Sequence, residues 1–258
     1  MTLRQSFAWW SFGEGLRDRA ALLTAATNIG FTGVDFLDED LWPVACDVGL
    51  GLVVTDGHTG ADTAVHGFND RGNHRALGDE VKHAIDRAAR AGIGHLAVAF
   101  GNHNGLSDQE AVAVCAEGLA PLAEEAEQAE VGLLLEPLNS TVDHVGHQCD
   151  RSWMAFSVVD QVGSPALRVL YDGYHMQLME GNLMTTIEDN LERIGHVHVA
   201  GVPGRRDPDH RQEVNWPAVA RLLHDRGYSG FIGHEFFPEG DTEDALKRSF
   251  SVFATEQR

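Results

Sequence analysis

Basic residues, and lysines in particular, are scarce in this sequence. Its 258 residues include 39 aspartates and glutamates but 19 lysines and arginines, and its lysines are Lys82 and Lys247. The formal net charge is −20 at pH 7 with the histidines neutral. Because a chain this acidic repels phosphate backbones and anionic membrane surfaces, we expect neither nucleic acid nor a membrane as its partner.

Long hydrophobic runs and paired cysteines are also lacking. No segment reaches the length of a membrane span, and the apolar run at residues 7–10 is too short for the core of a signal peptide. The cysteines Cys46, Cys115 and Cys149 are widely spaced and form no C-x-x-C motif. These features predict a reduced, cytoplasmic protein with neither a disulfide framework nor a thiolate zinc site.

The pattern that is present is a short apolar run, a polar or glycine break and a longer amphipathic stretch, repeated along the chain. The short runs are typical of buried parallel strands, which we predict at residues 7–9, 33–36, 51–55, 95–100, 132–136, 168–171, 197–200 and 231–233. The longer stretches predict helices at residues 16–28, 79–91, 107–129, 152–162, 185–194, 216–225 and 242–254. Residues 37–46 contain Pro43 and predict a short helix, and Pro121 should kink or divide the helix at 107–129.

Eight strands that alternate with helices in about 250 residues are typical of a (β/α)8 barrel. A doubly wound open sheet would show a similar alternation. However, no G-x-G-x-x-G motif follows the first strand, and no linker or change in composition divides the chain. We therefore predict a protein of the α/β class with one TIM-barrel domain over residues 1–258.

Four successive predicted strands end in residues that can bind a metal ion: Glu136, Asp172, His198 and Glu235. In a barrel, the C-terminal ends of the strands carry the functional groups. Each acid closes an apolar run, where an unpaired carboxylate is costly, and three converging carboxylates repel one another. A divalent cation removes both problems, and an oxygen-rich set with one imidazole suits Mg²⁺ or Mn²⁺. A single glutamate at a strand end is more often a capping or surface residue, but four such residues in a row favour a metal site.

His196 and His198 are two residues apart on one predicted strand, so their side chains point to the same face. We predict His198 as the metal ligand because it lies nearer to the C-terminal end of the strand. His196 is then a packed histidine beside the ligand.

Four residues in loops after the strands are candidates for substrate contacts: His58, Asn102, His175 and Arg205. The guanidinium of Arg205 could hold a carboxylate or phosphate with two hydrogen bonds. His58 and Asn102 could hydrogen-bond substrate hydroxyls, and His175 lies three residues beyond Asp172. The alternative for each of these residues is a solvated position in a loop.

Five segments resemble the hydroxypyruvate isomerase family, within the sugar isomerase/epimerase branch of the xylose isomerase-like TIM barrels. They are residues 7–10, 30–36, 136–139, 171–177 and 195–205. The most specific of them are the Asp-x-x-His-x-Gln run that begins at Asp172 and the Ala-Gly-Val-Pro-Gly-Arg run that ends at Arg205. The resemblance covers nearly the whole chain.

The resemblance implies one divalent metal ion held by Glu136, Asp172, His198 and Glu235, with Mg²⁺ or Mn²⁺ first and Co²⁺ or Zn²⁺ as alternatives. It also implies that Glu136 and Glu235 are the acid and base, and that His175 and Arg205 contact the substrate. The implied activity is an aldose–ketose type isomerisation of a small hydroxy-keto acid such as hydroxypyruvate, through an enediolate. A homo-oligomer is compatible with this assignment.

Two segments depart from what we expect of a hydroxypyruvate isomerase, namely residues 140–150 and 236–238. Both should border the substrate, so the alternatives of a ketose 3-epimerase and of an inosose or 2-oxo-tetronate isomerase stay open. Outside the isomerases, an endonuclease IV-like hydrolase would need several zinc ions and a basic surface, which the net charge of −20 disfavours. A metabolite-binding protein without catalytic activity would have no use for the two glutamates.

Overall fold

The structure is a computed structural model that describes residues 2–13, 18–58 and 64–254. Over these residues eight strands alternate with helices. The strands are β1 (Arg4–Phe7), β2 (Gly33–Asp35), β3 (Gly51–Asp56), β4 (His95–Val98), β5 (Gly132–Leu135), β6 (Leu167–Asp172), β7 (Ile194–Val199) and β8 (Phe231–His234). The helices are α1 (Trp9–Phe12), α2 (Arg19–Ile29), α3 (Trp42–Asp47), α4 (His74–Ala91), α5 (Asp108–Gln128), α6 (Ser152–Val162), α7 (Gly173–Met179), α8 (Leu183–Asn190), α9 (Trp216–Asp225) and α10 (Thr242–Phe253). None of the helices in the described part of the chain is both long and apolar enough to cross a membrane.

The eight strands form one sheet in the order β1-β8-β7-β6-β5-β4-β3-β2. The strand pairs β1/β8, β3/β4, β4/β5, β5/β6 and β7/β8 are parallel. A parallel bridge between Ala8 and Asp35 joins the ends of β1 and β2, so the barrel is nearly closed. This sequential order confirms the predicted (β/α)8 barrel, and the doubly wound alternative is wrong because its strand order reverses within the sheet.

The described residues fall into two compact units, and the first comprises those of Met1–Val53, Asn182–Leu191 and His196–Arg258. Aromatic side chains fill its interior. Phe31 packs edge-on against Phe7 at 5.5 Å between ring centroids. The indole of Trp216, which is fully buried, donates a hydrogen bond to the carbonyl of Ala200 and packs against Phe253. These contacts hold α9 and α10 beside the strands of this unit.

The second unit comprises the described residues of Val54–Gly181 and Glu192–Gly195. Its longest helix, α5, begins with the predicted capping box, in which Ser107 and Glu110 satisfy each other's backbone N–H groups. Pro121 lies inside α5, and the helix runs undivided from Asp108 to Gln128. Of the two predicted effects of this proline, the division is therefore wrong and the kink stays a prediction. A long buried face stabilises the helix on both sides of the proline, which offsets the one hydrogen bond that the proline removes.

The first strand and one short helix differ from the sequence-based expectation. The strand was expected at residues 7–9, but β1 ends at Phe7 and Trp9 begins α1. The reason is that the polar residues Gln5 and Ser6 are buried within β1, so the strand is not an apolar run. The sequence does not predict helix α7 (Gly173–Met179). This helix follows β6 with no loop between them, so no turn residues mark where it begins. The predicted start of the first helix, Leu16, lies outside the described residues.

Candidate functional site

The four predicted ligand residues lie at the C-terminal ends of successive strands. Glu136 directly follows β5, Asp172 is the last residue of β6, His198 is the penultimate residue of β7, and Glu235 directly follows β8. Asp172 and His198 are fully buried, and Glu235 is 5% exposed. These are the positions at which barrel enzymes carry their functional groups.

The structure brings these four side chains together. One ligand atom from each of Glu136, Asp172, His198 and Glu235 lies within 4.8 Å of the other three. We call these residues the ligand cluster. Three carboxylates at this spacing, two of them buried and that of Glu136 half-buried, repel one another unless a cation neutralises them. Carboxylate oxygens with one imidazole nitrogen are suitable ligands for a divalent ion. The donor set therefore fits a divalent metal ion.

Glu235 is held by three neighbouring side chains. The guanidinium of Arg205 donates a hydrogen bond to Oε2, and the indole of Trp10 donates one to Oε1 at 2.9 Å. The Nδ1 atom of His198 lies 3.3 Å from Oε2. The guanidinium of Arg205 also lies 5.2 Å from the centre of the Trp10 ring. These contacts fix the orientation of the Glu235 carboxylate.

The sequence analysis missed one carboxylate next to this cluster, Asp35, which ends β2 and is fully buried. Its Oδ2 atom lies 3.1 Å from Nε2 of His196 and 3.4 Å from Nε2 of His198. Burial alone would raise the pKa of Asp35, but the two imidazoles hold that pKa well below its usual value. Burial alone would lower the pKa of His198, but the carboxylates of Glu235 and Asp35 hold it well above its usual value. The signal for Asp35 in the sequence is an acid at the end of an apolar run, as for Asp172.

His175 lies beside Asp172, as the Asp-x-x-His spacing indicates. The Asp172 Oδ1 atom accepts a hydrogen bond from the backbone N–H of Tyr174 at 2.7 Å, which caps α7 and turns His175 toward the strand end. The His175 Nε2 atom lies 3.5 Å from Asp172 Oδ2, and its Nδ1 atom contacts the amide of Asn139 at 2.6 Å. A hydrogen bond donated by Asn139 to Nδ1 places the ring proton on Nε2, facing Asp172. The predicted contact of His175 with a substrate stays a prediction.

His58 and Asn102 do not belong to the ligand cluster. The Nε2 atom of His58 accepts a hydrogen bond from the backbone N–H of Ala99 at 3.2 Å, and burial lowers the pKa of this histidine. His58 also lines an open groove of about 380 Å³ together with residues of α4. Asn102 forms an antiparallel bridge with His147 in the loop after β5. Substrate contacts of His58 and Asn102 stay predictions.

His147 should make the protein less stable in mild acid. It is fully buried, its Nδ1 atom contacts the carbonyl of Ala64 at 3.1 Å, and burial lowers its pKa to about 4. Because an unfolded histidine has a pKa of about 6.5, the unfolded state binds a proton that the folded state does not bind between these two values. The stabilisation is therefore complete above about pH 6.5, and we expect a loss of about 3 kcal/mol as the pH falls to 4.

This loss is measured by urea unfolding between pH 7 and pH 4. His147→Gln should show a smaller change in unfolding free energy over this range than the wild type. The same substitution at the exposed His210 is the matched control. Equal pH dependence in wild type and His147→Gln would show that this histidine does not cause the acid sensitivity.

Comparisons with known proteins show matches along nearly the whole chain. A family model described as Xylose isomerase-like TIM barrel matches residues 23–255. A human protein provisionally named hydroxypyruvate isomerase is 32% identical over 250 residues, which cover 92% of this chain and 90% of the human one. A Cupriavidus necator protein named 2-oxo-tetronate isomerase is 35% identical over 130 residues, 50% of this chain and 49% of that one. A crystal structure described as AP endonuclease, family 2, from Brucella melitensis has a TM-score of 0.87 and 25% identity, and the match covers 98% of this chain and 100% of that one.

Proposed function

Because this chain belongs to the xylose isomerase-like TIM barrel family and its relatives support an isomerase, we propose that it is a metal-dependent isomerase of a small hydroxy-keto acid. Hydroxypyruvate is the substrate that we propose first, with tartronate semialdehyde as its product. The single observation that carries the proposal is the ligand cluster, in which three carboxylates and one imidazole meet within 4.8 Å.

Glu136, Asp172, His198 and Glu235 would hold the metal ion, with Mg²⁺ or Mn²⁺ favoured by their predominance of oxygen ligands. A bound divalent ion supplies Lewis-acid polarisation of the substrate oxygens, which makes the neighbouring C–H group more acidic. The charge of the cluster supports this role, because three carboxylates carry more negative charge than one imidazole can offset, and a divalent cation neutralises the excess.

Glu136 and Glu235 would transfer the proton. One glutamate removes a proton from C3 of hydroxypyruvate, which leaves an enediolate, and the other delivers a proton to C2. The proton of the C3 hydroxyl moves to the C2 oxygen, so that C3 becomes the aldehyde and C2 carries the hydroxyl. The number of protons and electrons is unchanged, so the reaction needs no further reactant. Two carboxylates at one site are the smallest set that can take and return the proton on neighbouring carbons.

Arg205 and His175 would bind the substrate carboxylate. A guanidinium has five N–H groups in a planar array, so Arg205 can contact Glu235 and a substrate carboxylate at the same time. Its backbone is held in place by a hydrogen bond from the N–H of Phe237 to the Arg205 carbonyl at 2.7 Å. A fixed cation beside one of the two proton-transfer groups orients an acidic substrate relative to that group.

The name of the Cupriavidus relative favours a second candidate substrate, a 2-oxo-tetronate. Such a substrate has the same carboxylate and hydroxy-carbonyl groups as hydroxypyruvate and one more carbon atom. The same two glutamates and the same arginine would serve both reactions. The two substrates differ in the space that they need near the loop of residues 140–150.

Metal-stripped protein should be tested with Mg²⁺ or Mn²⁺ on hydroxypyruvate, 2-oxo-tetronates and ketoses, with proton NMR in D₂O. We expect isomerisation of a hydroxy-keto acid with deuterium incorporated at the carbon that receives the proton, and no reaction without the ion. The absence of exchange in every substrate with the ion present would overturn the proposal. Nicking of abasic DNA by the metal-loaded protein would instead support a hydrolase.

A further inference from the structure

A buried carboxylate contacts the ring nitrogen of His198 that faces away from Glu235. We infer that Asp35 is a positioning residue, which fixes the ring of His198 so that Nδ1 is the nitrogen offered to the metal ion. The inference rests on the proposed function, because it assumes that His198 is a metal ligand. It adds a residue from β2, which contributes nothing to the ligand cluster itself.

Two hydrogen bonds and one further ring contact converge on a single oxygen of Asp35. The Oδ2 atom accepts a hydrogen bond from the hydroxyl of Ser6 at 2.8 Å, lies 3.1 Å from Nε2 of His196 and lies 3.4 Å from Nε2 of His198. All four side chains are fully buried. A fully buried carboxylate with two such hydrogen bonds is held at a fixed position beside the His198 ring.

The orientation of the His198 ring distinguishes its two nitrogens. Nε2 lies 3.4 Å from Asp35 Oδ2, and Nδ1 lies 3.3 Å from Oε2 of Glu235, a member of the ligand cluster. Nδ1 is therefore the nitrogen that this orientation turns toward the other ligands. A metal binds the unprotonated nitrogen of histidine, and a carboxylate on the other nitrogen is the usual way in which proteins fix that choice.

The backbone of β8 leaves space for this arrangement at one residue. Gly233 pairs with His198 in the register of β7 and β8. A Cβ atom at position 233 would lie 2.5 Å from Asp35 Oδ2, 2.5 Å from Cδ2 of His198 and 2.7 Å from Nε2 of His196. The close approach of the carboxylate and the two imidazoles therefore requires glycine at this position.

Asp35, His196 and His198 could themselves hold a metal ion, since one ligand atom from each lies within 4.8 Å of the other two. Two observations favour the hydrogen-bonded arrangement. The Nε2 atoms of both imidazoles lie beside the same oxygen, which also has hydrogen bonds with His196 at 3.1 Å and with the Ser6 hydroxyl at 2.8 Å. A second metal site would double the number of ions bound per chain, so stoichiometry separates the two interpretations.

The first test measures Zn²⁺ affinity and stoichiometry by calorimetry in the wild type and in Asp35→Asn. The asparagine amide can donate to Nε2 of His198, which would move the ring proton to Nδ1. We expect one ion per chain in both proteins and an affinity that is about 10- to 100-fold lower in Asp35→Asn. The matched control is Asp38→Asn, which replaces an exposed carboxylate bonded to Trp9 and should bind Zn²⁺ as the wild type does.

The second test needs no variant and decides the question if Asp35→Asn fails to fold. Long-range ¹H–¹⁵N NMR of the Zn²⁺-loaded wild type should show a protonated Nε2 and a metal-bound Nδ1 for His198. A metal-bound Nε2, two ions per chain, or equal affinity in folded Asp35→Asn would each overturn the inference. Failure of the wild type to bind Zn²⁺, Mn²⁺ or Mg²⁺ would instead overturn the proposed function on which it rests.

Discussion

Glu136→Gln and Glu235→Gln should each lower turnover by about 10⁴-fold in a protein that still folds. Glutamine has the size of glutamate and keeps one oxygen ligand, but it cannot accept a proton at neutral pH. Each substitution therefore removes a proton-transfer group and replaces a charged metal ligand with a neutral one. Proton transfer by a positioned side chain contributes about 10²- to 10⁴-fold to a rate, and the loss of the charged ligand adds to this effect.

The measurement is kcat on the substrate identified by the metal-supplemented screen, together with Zn²⁺ titration. Weak but detectable ion binding should remain in both variants, because three of the four ligands are unchanged. Glu124→Gln, at an exposed position on α5, is the matched control and should keep wild-type activity. Near-normal turnover in both active-site variants would refute the assignment of the two glutamates as acid and base.

Deuterium exchange in the same two variants can also show which glutamate removes the proton and which one delivers it. Glu235 accepts hydrogen bonds from the guanidinium of Arg205 and the indole of Trp10, which fix the direction of its carboxylate. If Glu235 is the base, Glu235→Gln should abolish deuterium exchange at the carbon that loses its proton. Glu136→Gln should then retain slow exchange there while it blocks delivery to the neighbouring carbon.

The ligand cluster could be predicted from the sequence because its members lie in a regular pattern. Buried parallel strands are apolar runs, and an acid or histidine that ends such a run is conspicuous. Barrel topology then brings the ends of successive strands to one face without any knowledge of side-chain packing. This pattern predicts Glu136, Asp172 and Glu235, and the place of His198 along β7 favours it over His196 as the ligand.

The contacts of Asp35 and Arg205 could not be predicted from the pattern of strand ends. Asp35 also closes an apolar run, but its partners on β7 depend on the register of three strands and on the missing side chain of Gly233. Arg205 was predicted as an anion-binding loop residue, and its contact with Glu235 depends on a backbone with a positive φ of 51°. Neither contact follows from spacing in the sequence, because both depend on distances between elements that are far apart along the chain.

The displaced first strand has a similar cause. Gln5 and Ser6 are polar, so the apolar run begins only at Phe7. The sequence therefore predicts a strand that starts at residue 7, whereas β1 starts at Arg4. In the structure both side chains are buried because they have specific partners, with Gln5 contacting Nε2 of His234 and Ser6 contacting Asp35. A buried polar residue with a partner is compatible with a strand interior, but the partner cannot be seen in the local sequence.

Gly233→Ala should lower the free energy of unfolding by about 3 kcal/mol and weaken Zn²⁺ binding in the same protein. The added methyl group would lie 2.5 Å from both Asp35 Oδ2 and His198 Cδ2, so β8 or these side chains must move. Backbone and buried rings have little freedom to do so in a closely packed interior. Movement of Asp35 away from His198 would also release the ring whose orientation determines the ligand atom.

The matched control is Gly78→Ala, which makes the same substitution at a glycine with open space around its Cβ position. Gly78 lies within α4, and an added Cβ atom there would have no other atom within 4 Å. Alanine favours helix over glycine, so this variant should be more stable than the wild type by about 1 kcal/mol. Urea unfolding and Zn²⁺ titration of both variants give the comparison. Wild-type stability in Gly233→Ala would mean that the strands adapt easily, and unchanged Zn²⁺ affinity would mean that the Asp35–His198 contact does not fix the ligand.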